Sequence, residues 1–159
     1  MKTLLDINYS TIVEYGELER FNKEWDISSY LNMKYEMNVA IALSKLYFPN
    51  FIEKENCVVL DFRYNEHTFK EWHKHFKGDI KKIEFMCNYY DVQDYFTTSE
   101  LNYETDEQYF LAVEQFGKIL QRIWQINLDL LFPQRTMKVD LWEEENVLKI
   151  SLFSDTDIS

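Results

Sequence analysis

Two periods of hydrophobic spacing run through this chain, and each change of period marks the end of an element. The first 25 residues give a weak signal: Ser10 is placed to cap a helix carrying Ile12, Tyr15, Leu18 and Phe21, while Gly16 works against it. From Met33 to Phe48 the helical signal is stronger. Met33, Met37, Ala40, Ile41 and Tyr47 share one face, and Val39, Leu43 and Leu46 add apolar positions elsewhere around the axis. A helix apolar on most sides is expected to be central and buried, and Pro49 ends it. Phe51-Ile52-Glu53 and Cys57-Val58-Val59-Leu60, joined through Lys54-Glu55-Asn56, predict a tight hairpin whose second strand is interior. Asn65 is expected to cap a helix over 66–77 with the stripe Phe69, Trp72, His73, Phe76. Gly78 takes the left-handed end, and Asp79 caps the next helix, with Ile80, Ile83, Cys87 and Tyr90 inward. Residues 97–103 read as a connection.

Thr105-Asp106-Glu107-Gln108 matches a capping box and opens the clearest helix, which runs through Tyr109, Val113, Phe116, Leu120 and Ile123 to about Leu130, before Pro133. At the C-terminal end Met137, Val139 and Leu141, then Leu148, Ile150 and Leu152, alternate with polar residues across Glu143-Glu144-Glu145-Asn146. Period two with one polar face predicts a second antiparallel hairpin. The expectation is a single α+β domain over residues 1–159: a short antiparallel sheet of about four strands, in two hairpins, packed on about four to five helices.

Composition narrows the class. The chain is 46% hydrophobic with 12 Phe, 11 Tyr and 4 Trp, enough to build one core without staples. Three Gly and two Pro leave little for flexible linkers. Two cysteines, Cys57 and Cys87, make neither a disulfide framework nor a four-thiolate metal site. The residues after Lys2 are too few and too polar for a secretory core, and no run approaches a membrane span, so a cytoplasmic protein with reduced thiols and no membrane partner is expected.

Charge is distributed unevenly. The net charge is −11, and residues 83–117 contain eight acids and no Lys or Arg, whereas residues 63–82 carry six basic residues against three acids. An acidic chain of this kind does not suit nucleic acid, which requires clustered Lys and Arg.

Catalytic signatures are missing. There is no Gly-x-Ser-x-Gly, Walker loop, dinucleotide fingerprint, His-Glu-x-x-His or Cys-x-x-Cys, so no catalytic residue, metal or cofactor is assigned. His67, His73 and His75 are spaced by six and two residues, which does not bring two rings to one helix face. One ligand or enzyme pocket is conceivable where Cys57, on a strand, approaches Trp72 and His73 on the following helix. The competing reading makes Cys57 a small core residue and His73 a hydrogen-bonded edge residue.

The segments Leu43-Ser-Lys-Leu-Tyr-Phe-Pro-Asn-Phe-Ile-Glu-Lys-Glu-Asn-Cys-Val-Val-Leu60, Phe69…Trp72…Gly78-Asp79 and Leu131-Phe132-Pro133 resemble a group of small bacterial proteins of unassigned function. Some small acidic proteins of this general appearance are immunity partners of secreted toxins. The resemblance rests on packing residues and turns, so it implies the fold first and an inhibitor role second. The residues point the same way. Within the cation-free stretch, Asp91, Asp94, Glu100, Glu104, Asp106 and Glu107 would steer a basic protein partner, such as a toxin or nuclease, and Tyr90, Tyr95 and Tyr103 would anchor it. The alternatives are a solvated acidic face with no partner, and self-association through the same aromatic surface; oligomeric state is not readable from the sequence.

Overall fold

Both hairpins turn on two residues with positive φ, Glu55 and Asn56 (48° and 66°) and Glu145 and Asn146 (53° and 63°). That backbone twist matches the twist of the strands it joins. The first hairpin pairs β1 (Phe51–Lys54) with β2 (Cys57–Leu60); the second pairs β4 (Met137–Glu144) with β5 (Val147–Ser154). A two-residue strand, β3 (Tyr90–Asp91), adds to the free side of β5 through Tyr90↔Ile150 and Asp91↔Lys149. The computed structural model describes residues 2–97 and 99–155. Within them the helices are α1 (Val13–Phe21), α2 (Ile27–Lys34), α3 (Met37–Tyr47), α4 (Glu66–His75), α5 (Ile80–Asn88) and α6 (Asp106–Leu131).

The fold is α+β, with two small antiparallel sheets of order β1-β2 and β3-β5-β4. The described residues thus form five strands where about four were expected, and six helices where four to five were expected. The extra strand begins at Tyr90, which the helical spacing had assigned to the inner stripe of α5. The extra helix is α2, most of which lies before Met33 where no element was expected; extended backbone at Tyr35 and Glu36 separates it from α3, so Met33–Phe48 is not one helix.

Three of the expected caps form, whereas Ser10 lies inside a 3-10 turn and α1 begins after Ile12 with no side-chain cap. Asn65 Oδ1 accepts from the Thr68 N–H at 3.0 Å, Asp79 Oδ1 from Lys82 at 3.2 Å, and Thr105 Oγ1 from Gln108 at 3.2 Å. Gly78 has φ +82°, the left-handed conformation that ends α4.

α6 is the central helix. Val113, Gly117, Leu120, Trp124 and Leu128 form its buried stripe against β4 and β5. At Gly117 the sheet's side chains leave no room for a Cβ, which would lie 2.7 Å from Leu148 Cδ2. α3, expected at the centre, lies at the surface with no buried residue. Leu46 and Tyr47 pack against the core, Trp124 Nε1 donates to the Leu46 carbonyl at 2.8 Å, and Asn127 Nδ2 donates to the Tyr47 carbonyl at 3.0 Å. Met37, Ile41 and Phe48 face outward. Hydrophobic spacing sets which side of a helix is apolar but not how deep the helix sits, and α6 with its longer stripe holds the interior.

The two sheets share no backbone pairing. Two side chains of α5 join them instead. Glu84 Oε1 accepts from the Val58 N–H at 2.7 Å, and its Oε2 accepts from the Ser154 N–H at 2.5 Å. One turn on, Asn88 Oδ1 accepts from the Leu60 N–H at 2.8 Å, and its Nδ2 donates to the carbonyls of Val58 at 2.9 Å and Leu152 at 3.2 Å. Both side chains are fully buried. β2 is therefore covered on both faces and along its outer edge: Val58 and Leu60 join the main core, while Cys57 and Val59 join a second cluster with Phe69, Ile83 and Cys87.

Burial outweighs the donated hydrogen bonds and raises the Glu84 carboxyl above its ordinary 4.5. The protonated acid keeps every partner, because its O–H can turn toward Ser154 Oγ, 3.1 Å from Oε1, while Oε1 still accepts from Val58. An amide nitrogen has no such lone pair. Glu84→Gln is expected to cost about 1–3 kcal/mol in denaturant unfolding, since two donors then face each other in a buried site. A raised carboxyl contributes most below its unfolded value, and the contribution is lost as pH rises through the folded one. The stability gap between wild type and Glu84→Gln should therefore widen as pH is lowered from 7 toward that ordinary value; a constant gap would show that Glu84 does not titrate as burial requires. Asn88→Asp should be at least as costly, because a carboxylate oxygen would replace Nδ2 against two carbonyls.

Candidate functional site

The cation-free stretch of the sequence folds around one cavity. After β3 the chain makes a 3-10 turn, Val92–Phe96, and a second at Ser99–Asn102, then enters α6 at the Thr105 cap. Between these turns and the first half of α6 lies an open pocket of about 210 Å³. The loop side contributes Val92, Gln93, Phe96 and Tyr103; α6 contributes Tyr109, Ala112, Val113 and Phe116, an i, i+3, i+4, i+7 face. Phe96 meets Phe116 edge-on at 5.2 Å, and Tyr103 lies 5.6 Å from Tyr109. Gln93 turns its amide to the second hairpin, accepting from the Leu148 N–H at 3.2 Å. The remaining wall is apolar or aromatic apart from the two tyrosine hydroxyls.

Carboxylates stand close to this wall. The Tyr109 hydroxyl is raised first by burial and then by the negative charges of Glu100 and Asp94. Tyr103 is raised by burial and then by its neighbours Tyr35 and Tyr109. Asp94, Glu100, Glu104, Asp106 and Glu107 are all exposed. Glu104 faces a second, larger groove of about 690 Å³ on the far side of Tyr103, shared with Glu14, Glu17, Tyr30, Tyr35 and Lys34, which pairs with Glu14. Asp106 and Glu107 occupy the first turn of α6, where the helix dipole favours negative charge.

Three residues expected at the partner-facing surface are placed differently. Tyr95 turns inward: its ring packs 6.2 Å from Phe116 and 6.5 Å from Trp124, and its buried hydroxyl has no hydrogen-bond partner among the described residues. Tyr90 is half-buried at 4.5 Å from Tyr95, with the Arg63 guanidinium 4.3 Å above its ring. Asp91 is half-buried in β3, with Oδ1 out of contact with solvent. Tyr103 alone of the three tyrosines lines the cavity. Phe96, Tyr109 and Phe116 line it with Tyr103, and the face of α6 that carries two of them is readable from their spacing of seven. Of the eight acids in the stretch, Glu84 belongs to the interior.

Cys57, Trp72 and His73 have the surroundings of structural residues. Cys57 is fully buried, and its thiol is pushed up to about 12, chiefly by burial and then by the Glu84 charge. His73 Nε2 lies 3.1 Å from Glu55 Oε2, and Trp72 stacks on Phe76 at 5.5 Å. Cys87 is likewise buried and raised to about 11. A protonated, enclosed thiol is a poor nucleophile. Among the described residues no group of three or more His, Cys, Asp or Glu is arranged to hold a metal ion, and no helix is long and apolar enough to cross a membrane.

No protein-family model, curated protein or solved structure matches the chain.

The thiols supply a direct check. At pH 8 without denaturant, a disulfide reagent should label neither cysteine at a measurable rate, and labelling should rise only across the unfolding transition. Fast labelling of Cys57 in the folded protein would restore it as a candidate nucleophile.

Proposed function

We propose that this chain is a binding module for a basic protein partner, and that it seats one lysine or arginine side chain of that partner in the aromatic pocket between the 92–103 loop and α6. One observation carries the reading: every residue lining the pocket comes from the 35-residue stretch that contains no Lys or Arg. Four rings, Phe96, Tyr103, Tyr109 and Phe116, offer negative faces for a cation and apolar surface for its aliphatic stem. Asp94 and Glu100 beside Tyr109 add long-range attraction, which acts mainly on the rate of encounter. A toxin or nuclease whose working surface is built to grip phosphate presents clustered cations of this kind, and a chain that covers that surface acts as its inhibitor. The enzyme reading around Cys57 and His73 has no comparable support.

A fluorescently labelled oligolysine peptide serves as the probe, with oligoglutamate of equal length as the control. Asp94→Lys combined with Glu100→Lys and Glu104→Lys should weaken oligolysine binding at least tenfold at low salt, about 1.4 kcal/mol or more, and flatten its salt dependence. Phe116→Ala should weaken binding while leaving the salt slope unchanged, because it removes a ring and no charge. If the charge-reversed protein binds oligolysine as tightly as wild type, the proposal is wrong.

A further inference from the structure

We infer that the basic partner presents two neighbouring cationic side chains, the second of them held in the groove on the far side of Tyr103. This rests on the reading of the aromatic pocket as the seat of the first. Tyr103 lines both depressions, the pocket of about 210 Å³ and the groove of about 690 Å³. Its hydroxyl feels Tyr35 from the groove and Tyr109 from the pocket. The groove is built by parts of the chain that are distant in sequence. α1 supplies Glu14 and Glu17, α2 supplies Tyr30 and Lys34, and the segment entering α6 supplies Tyr103 and Glu104. Tyr35, just past α2, meets the Tyr30 ring edge-on at 5.7 Å. Tyr30 is buried, whereas Tyr35 is 50% exposed, so Tyr35 and the half-buried Tyr103 carry the ring surface that a visitor can reach.

Charge selects the occupant. Three carboxylates line the groove against one cation, Lys34. Lys34 is paired with Glu14, which also accepts from the Tyr30 hydroxyl at 3.3 Å. Glu17 and Glu104 have no cationic partner among the described residues. The same two acids border an adjoining depression of about 440 Å³, in which Glu19 and Arg20 balance each other in charge. An anionic side chain is repelled here, and an apolar one would strip water from two carboxylates with nothing in return. A lysine or arginine pairs with them and lays its stem on Tyr35 and Tyr103. Glu17 lies outside the cation-free stretch, so folding carries the acidic surface past that stretch and onto α1. Once one cation is seated in the pocket, the second enters as an intramolecular step, and its contribution multiplies the first.

Two capped, fluorescently labelled peptides test this on the full chain, Gly-Gly-Lys-Gly-Gly with one cation and Gly-Lys-Gly-Lys-Gly with two. The titrations are run at about 150 mM salt, where charges more than about 8 Å apart are largely screened. Wild type should bind the two-lysine peptide at least about tenfold more tightly than the one-lysine peptide. Glu17→Gln combined with Glu104→Gln should cut that gain below about threefold while leaving one-lysine affinity within about threefold of wild type. Tyr35→Ala, which removes ring surface from the groove and none from the pocket, should shrink the gain as well. If wild type binds the one-lysine peptide but gains nothing from the second lysine, this inference is overturned and the pocket reading stands. A gain that survives both variants overturns it too, because the second cation is then held elsewhere. If neither peptide binds, the pocket reading fails and this inference falls with it.

Discussion

A carboxylate and an amide on one helix stand where a strand pairing is missing. β2 and the end of β5 turn unpaired N–H and C=O groups toward each other's side of the core, and buried backbone groups must find partners or cost several kcal/mol between them. Glu84 and Asn88, one helical turn apart, supply acceptors for three N–H groups and donors for two carbonyls. Everything else in the arrangement follows from that insertion. α5 has to lie over the gap, α4 packs beside α5, and β2 becomes an interior strand with separate clusters on its two faces. The charge costs desolvation, seen in the raised carboxyl. What the site gains is a unique alignment of two hairpins that could otherwise slide or separate.

The same alignment positions the pocket. Asn88 ends α5, and two residues later the chain runs alongside β5 as β3, so the 3-10 turn that begins at Val92 starts from a fixed point. Gln93 then ties that turn to the second hairpin. On the other side, Gly117 lets α6 settle against Leu141 and Leu148, which fixes the height of Phe116 above the sheet. The loop wall and the helix wall of the pocket thus rest on one sheet, β3-β5-β4. A pocket held this way is pre-formed, so the binding proposed for it would require little ordering free energy.

What could be read from the residues divides by range. Caps at Asn65, Asp79 and Thr105, the left-handed Gly78, both hairpins and α6 are local in origin, and they stand where their sequence signals put them. Depth is a tertiary property. Nothing in Met33–Phe48 says that a longer amphipathic helix elsewhere will win the centre, so α3 is misplaced by a rule that is sound for helices in general. Tyr95 and Phe96 show the same limit on a smaller scale: adjacent rings in a 3-10 turn point in different directions, and composition cannot say which enters the core. Glu84 is the instructive miss. Counted only among the eight acids of the cation-free stretch, it sits at i+4 from Ile80 and is followed at i+8 by Asn88, on the stripe shared with Ile83 and Cys87. Polar residues at core positions of an amphipathic helix are the signal that a buried hydrogen-bond network is present.

Burial is also distributed unevenly along the chain. Among the described residues before Pro49, only Tyr15 and Tyr30 are buried hydrophobics, whereas the main cluster and the second cluster draw all their buried members from residue 57 onward. The segment before Pro49 attaches through Leu46 and Tyr47, which pack against the core, and through a few polar links, among them Asn8 to Gln115 and the carbonyls at the end of α3 to Trp124 and Asn127. Local opening free energy follows the density of buried apolar contact. The amides of α1 and α2 are therefore expected to exchange with solvent through openings that leave the sheets intact, and those of β2, β5 and the middle of α6 only on global unfolding. Uneven burial of this kind implies two layers of cooperativity, a slow-exchanging interior and a looser helical fringe.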